Sequence, residues 1–107
     1  MTTIAISEKT NLPTVINVFT VEPEQQQRII NFLLEHKEIP MKQPGFVSAS
    51  FHKSLDGTRV INYIQWRDWE ALEAAAKNSD FMAMAKQAAE LAPHDFHTYE
   101  VVFTMQT

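Results

Sequence analysis

Residues 59–66 read RVINYIQW, a segment rich in β-branched and aromatic side chains that carries one carboxamide out of place. Strand alternation puts Val60, Asn62, Ile64 and Trp66 on one face and Ile61, Tyr63 and Gln65 on the other. A buried amide without a partner costs roughly 1–3 kcal/mol. Asn62 among two branched aliphatics and an indole therefore points to a pocket wall, where the amide meets a ligand oxygen. Trp66 adds a flat aromatic surface on the same face. The preceding segment, FVSASFHKS, offers Ser48, Ser50 and His52 at alternate positions. An imidazole with an ordinary pKa of about 6.5 suits proton transfer in either direction.

Whether His52 joins Asn62 depends on the turn between the two segments. A three-residue loop, Leu55-Asp56-Gly57, pairs His52 with Val60 and Ser50 with Asn62, gathering Ser48, Ser50, His52, Asn62 and Trp66 on one face. A two-residue Asp56-Gly57 loop sets His52 opposite Ile61 and turns it away. Under the first register the face holds a small polar island inside an apolar rim, the usual makeup of a small-molecule pocket. Each residue also has a bland use: Asn62 can satisfy a neighbouring backbone group, Trp66 can be core, and His52 can sit in water at a strand edge. Tyr63 and Trp69 read as packing or subunit contacts.

Other chemistries find no residues to carry them. The sequence has no phosphate-binding loop, no dinucleotide glycine fingerprint and no His-Glu-x-x-His, and its two glycines and lack of cysteine remove thiol chemistry and thiolate metal sites. His36, His52, His94 and His97 do not stand at metal-ligand spacings on one element, so no metal or other cofactor is expected. With nine scattered Lys and Arg and a net charge of −4, there is no basic patch for nucleic acid. The start, MTTIAISEKT, lacks a basic, apolar leader, and no run approaches a membrane span. A cytoplasmic protein is expected.

The elements that must hold these residues follow from periodicity. The 107 residues, 45% apolar and 21% charged, suit one globular domain with its core over about 13–105. After a possible short strand at Ile4 to Ile6, Val15 to Val21 reads as a strand, and a helix with an acidic start then runs from Pro23 to a stop at Pro40. Two strands joined by the SLDGT turn come next. Asp68 to Leu91 is helical with a break near Asn78-Ser79-Asp80, where Ser79 or Asp80 caps the second piece. The final strand, FHTYEVVFTM, alternates His97, Tyr99, Val101, Phe103 and Met105 on one face. The order βαββαβ is the ferredoxin-like α+β pattern, a four-stranded antiparallel sheet with helices on one side. Apolar residues fall on both faces of the second strand, Val47, Ala49 and Phe51 on one and Phe46 on the other. A second copy of the chain is expected to cover the open face, making a homodimer.

The segments INVFTVEPEQQQRII, PGFVSASFHKSLDGTRVINYIQW and HTYEVV resemble the antibiotic biosynthesis monooxygenase family, over about Val15 to Val102. The resemblance implies a ferredoxin-like protomer in a dimeric α+β barrel. It also implies oxygenation of a phenolic, anthrone or quinol-like aromatic molecule by dioxygen without flavin, haem or metal. On this resemblance Asn62 and Trp66 match the family's pocket Asn and Trp, and His52 would assist proton transfer. Ser50, Asn17 and Phe46 are candidate substrate contacts. Leu72 and Lys86 occupy the helical positions where some relatives carry a tyrosine and an arginine. A haem-degrading branch of the superfamily uses a first-strand Asn and a third-strand Trp, matched by Asn17 and Trp66, but its ligand histidine falls near Lys86. The competing class is a dimeric barrel that binds a small aromatic or signalling molecule without turning it over.

Overall fold

The computed structural model describes residues 12–107. The possible strand at Ile4 to Ile6 lies outside them. In chain order the elements are β1 (Pro13–Thr20), a single 3-10 turn (Pro23–Gln25), α1 (Gln26–Glu35), α2 (Glu38–Met41), β2 (Phe46–Lys53), β3 (Arg59–Trp66), α3 (Trp69–Lys77), α4 (Ser79–Leu91) and β4 (His94–Glu100). All strand pairs are antiparallel, in the order β2-β3-β1-β4. This is the expected α+β ferredoxin-like fold.

The helices pack on one sheet face through two buried clusters. Phe19, Ile29, Leu33, Val60, Ala88 and Ala92 form the first, and Val15, Ile64, Trp66, Ala71 and Ala75 form the second. Along β1 the inward residues are Val15, Asn17 and Phe19, and along β3 they are Val60, Asn62 and Ile64. The two asparagines thus fall in the gap between the clusters, directly opposite one another in the register. A row of amides divides the core.

Local chemistry explains where the elements depart from expectation. Pro40 does not end a long helix; it is buried as the third residue of α2, where its missing N–H would have had no intrahelical partner. The chain leaves α1 at His36, whose Nδ1 is 2.8 Å from the Phe32 carbonyl oxygen. The break between α3 and α4 is capped by Asn78 rather than Ser79 or Asp80. Asn78 closes α3, and its side-chain oxygen accepts the Phe81 N–H at 3.0 Å. Asp68 starts α3 in the same way, accepting the Ala71 N–H at 2.8 Å, and this bond and the neighbouring Arg67 hold its carboxyl below the usual range.

Two corrections concern the sheet. The last strand begins earlier and ends sooner than its alternation suggested, at His94 and Glu100, and residues 101–107 carry no strand. A bulge between Phe46 and Ser48 shifts the β2 register, so that Phe46, Ala49 and Phe51 all lie opposite inward residues of β3. Phe46 therefore shares a face with Ala49 and Phe51 instead of opposing them. Gly45, at φ +85°, makes the turn into β2, and a Cβ there would collide with that of Ala71 on α3.

Candidate active site

Between the sheet and the helices lies a cavity of about 120 Å³. Its floor is sheet: Val15, Asn17 and Phe19 of β1, Asn62, Ile64 and Trp66 of β3, and His94 and Phe96 of β4. Its roof is Phe32 and Leu33 of α1, Leu72 and Ala76 of α3, and Phe81, Met84, Ala85 and Ala88 of α4. Nearly all of this surface is hydrocarbon, aromatic ring or thioether.

The exceptions are informative. Asn17 and Asn62 face each other across β1 and β3, with Cβ atoms roughly 4.5–5.5 Å apart as in any directly opposed pair. The Oδ1 atom of each is buried with no hydrogen-bond partner. Native proteins rarely leave such atoms unpaired, and a polar ligand atom between them could partner both. By turning about its Cβ–Cγ axis a carboxamide presents either an acceptor oxygen or a donor NH₂ from the same site. Beside them Trp66 is 1% exposed, clamped by the edge of Phe46 at 5.9 Å and by Phe81 at 6.2 Å between ring centroids. Its indole is a fixed wall. The arrangement can sandwich a flat aromatic molecule and meet an oxygen on it with two amides.

A family model for antibiotic biosynthesis monooxygenase matches residues 13–87, which contain both asparagines and the tryptophan. The chain belongs to this family. Tetracenomycin-F1 monooxygenase of Streptomyces glaucescens is 45% identical to it over 73 residues, 64% of this chain and 65% of that relative's length. Among solved structures, SnoaB, a cofactor-independent oxygenase from Streptomyces nogalater, superposes with a TM-score of 0.76 at 21% identity, over 91% of this chain and 99% of its own. A Streptomyces coelicolor monooxygenase, solved in complex with nanaomycin D, gives a TM-score of 0.76 at 22% identity, over 92% and 93%. At these identities the structural likeness speaks for the fold.

Of the positions that the family resemblance singled out, Asn62, Trp66, Asn17 and Leu72 line the cavity. Phe46 lies behind Trp66 and lines a separate groove with Val47 and Phe51 of β2 and Pro40 and Met41 of α2. Lys86 is exposed and outside the lining, because the helical period that turns Met84, Ala85 and Ala88 inward turns it out. His52 and Ser50 lie on the opposite face of the sheet. The hairpin closes at Ser54 and Arg59, His52 pairs with Ile61, and Phe51 takes the place opposite Asn62. There Ser50 Oγ and His52 Nε2 are hydrogen-bonded at 2.9 Å, and Ser48 Oγ donates to Gln65 Oε1 at 3.3 Å. Tyr63 is on that face too, its phenol pKa pushed up by burial.

The imidazole that does reach the cavity is His94. Sequence reasoning passed over it because the last strand seemed to start at Phe96. Extending the alternation back by two residues puts His94 on the face of Phe96, and the observed pairing of His94 with Phe19 does the same. Among the described residues no three His, Asp or Glu side chains come together in a way that could hold a metal ion.

Proposed function

We propose that this protein is an oxidoreductase that oxidises an aromatic phenol, anthrone or quinol with dioxygen, using no flavin, haem or metal. The observation that carries this reading is the pair of buried, unpartnered amide oxygens of Asn17 and Asn62 inside an otherwise apolar, aromatic cavity. Family membership and the 45% identity to a monooxygenase support it.

The chemistry asks little of the protein. The anion of an electron-rich aromatic can itself pass an electron to dioxygen. The chain has to bind the aromatic, exclude water and stabilise negative charge on oxygen. Trp66 and Phe96 supply ring surfaces and Leu72, Met84 and Ala88 an apolar roof. Asn17 and Asn62, turned to present NH₂ groups, donate to the ligand's developing oxyanion in a setting where water does not compete.

The test is oxygen uptake by the purified protein with a panel of anthrones and hydroquinones. Uptake well above autoxidation is expected in the wild type, with a loss of about a hundredfold in Asn62→Ala, the scale for removing one oxyanion donor. Tight binding of the panel with no uptake would replace this reading with that of a barrel that only binds its aromatic ligand.

We also propose that the protein works as a homodimer. None of the described helices packs on the outer sheet face, where Ile16, Val18, Ile61 and Tyr63 are half-buried while Tyr99, Val102 and Phe103 are exposed. Sedimentation equilibrium should report twice the chain mass, and Ile61→Lys should halve it. A wild-type monomer would overturn the proposal.

A further inference from the structure

We propose that His94 takes the proton from the ligand in this cavity, so that a neutral phenol or anthrone enters and is held there as its anion. This rests on the oxygenase reading above. Among the described residues that line the cavity, His94 alone has a side chain that titrates; the amides of Asn17 and Asn62 neither gain nor lose a proton. A proton leaving the ligand inside the cavity therefore goes to His94 or to water.

The placement fits the task. His94 opens β4 opposite Phe19, two residues before Phe96, which lies opposite Asn17. It is thus on the same sheet face as the asparagines and diagonal to Asn17, roughly 7–8 Å away along the ladder. The residue is exposed as well as cavity-lining, so its ring connects the cavity to solvent. Its contact with the Phe19 ring, 5.8 Å between centroids, fixes one side of the imidazole. The charged groups nearby lie outside the cavity lining. Asp95 and His97, on the other face of β4, pair with each other at 3.0 Å. Arg28 and Glu35 of α1 line a separate groove beyond Phe32. No charged side chain of β1, β3, α3 or α4 lines the cavity beside it.

The step balances with dioxygen as oxidant. For an anthrone, a C–H bond of the central methylene breaks, its electron pair stays on carbon and the proton bonds to an imidazole nitrogen. Dioxygen takes one electron from the carbanion, the radical and superoxide combine, and the imidazolium returns the proton to the peroxide. Cleavage of the O–O bond with loss of the second methylene hydrogen gives the carbonyl and one water. His94 ends as it began.

The experiment uses dithranol, a dihydroxyanthrone, with the intact protein first under nitrogen and then in air, at a pH below the pKa of the free probe. Under nitrogen the wild type should show the anthrone anion by its visible absorbance. His94→Gln should bind the probe equally by tryptophan quenching yet lose the anion absorbance. Imidazole added to His94→Ala should restore it, which a merely structural role would not. Equal anion in His94→Gln and wild type overturns the proposal, as does oxygen uptake on admitting air to a wild type that formed no anion. Anion without subsequent uptake supports the role of His94 and overturns the oxygenase reading. Neither anion nor uptake overturns both.

Discussion

Asn62 and Asn17 place two amide oxygens in an apolar wall without partners, at a cost to folding of roughly 1–3 kcal/mol each. Asn62→Leu should accordingly raise stability by about 1 kcal/mol in urea unfolding while abolishing turnover. A fall of similar size would mean that the amide is satisfied in the folded chain. Asn62 and Trp66 were legible because alternation within one strand needs no knowledge of its neighbours. His52 was not, because its face depends on the length of a turn outside its own strand. Leu72 came from the family resemblance, and the roof residues Phe32, Phe81 and Met84 escaped notice because apolar positions on a helix look the same whether they fill a core or line a hole.

At the scale of elements, the β2–β3 hairpin shows what sets that register. Four residues, Leu55 to Thr58, lie outside the closing pair Ser54 and Arg59, and Gly57 takes φ +82° as the expected left-handed residue. Asp56 organises the loop: its Oδ1 accepts the Thr58 hydroxyl at 2.7 Å, the Thr58 N–H at 3.0 Å and the Ser54 hydroxyl at 2.8 Å. These bonds, that of the Thr58 hydroxyl first, hold its carboxyl down at about 2, from an ordinary value of 3.8. A folded-state pKa below the unfolded one contributes stability that is complete above 3.8 and vanishes as pH falls through about 2. In chemical unfolding across that window, Asp56→Asn should flatten the acid-side loss relative to wild type. The residues of the turn were readable from sequence, but their count was not, since Asp56 recruits both Ser54 and Thr58 into it. Likewise the helix break was visible as a polar triplet, and only the backbone decides that Asn78 is its cap.

For the molecule as a whole, the order of periods two and 3.6 along the chain was enough to name the fold, because few architectures bury two amphipathic helices against four strands. What that order does not contain is volume. The cavity between sheet and helices is about 120 Å³, packing that the folded chain forgoes, and the volume change of unfolding grows with such unfilled space. Compression favours the state that takes up less room, so this protein should unfold at lower pressure than a well-filled domain of its length. An aromatic ligand that fills the cavity should move the midpoint of high-pressure fluorescence unfolding upward, and a midpoint indifferent to ligand would mean that binding leaves the void in place. The loosely filled layer between sheet and helices is also where the fold should yield first under pressure.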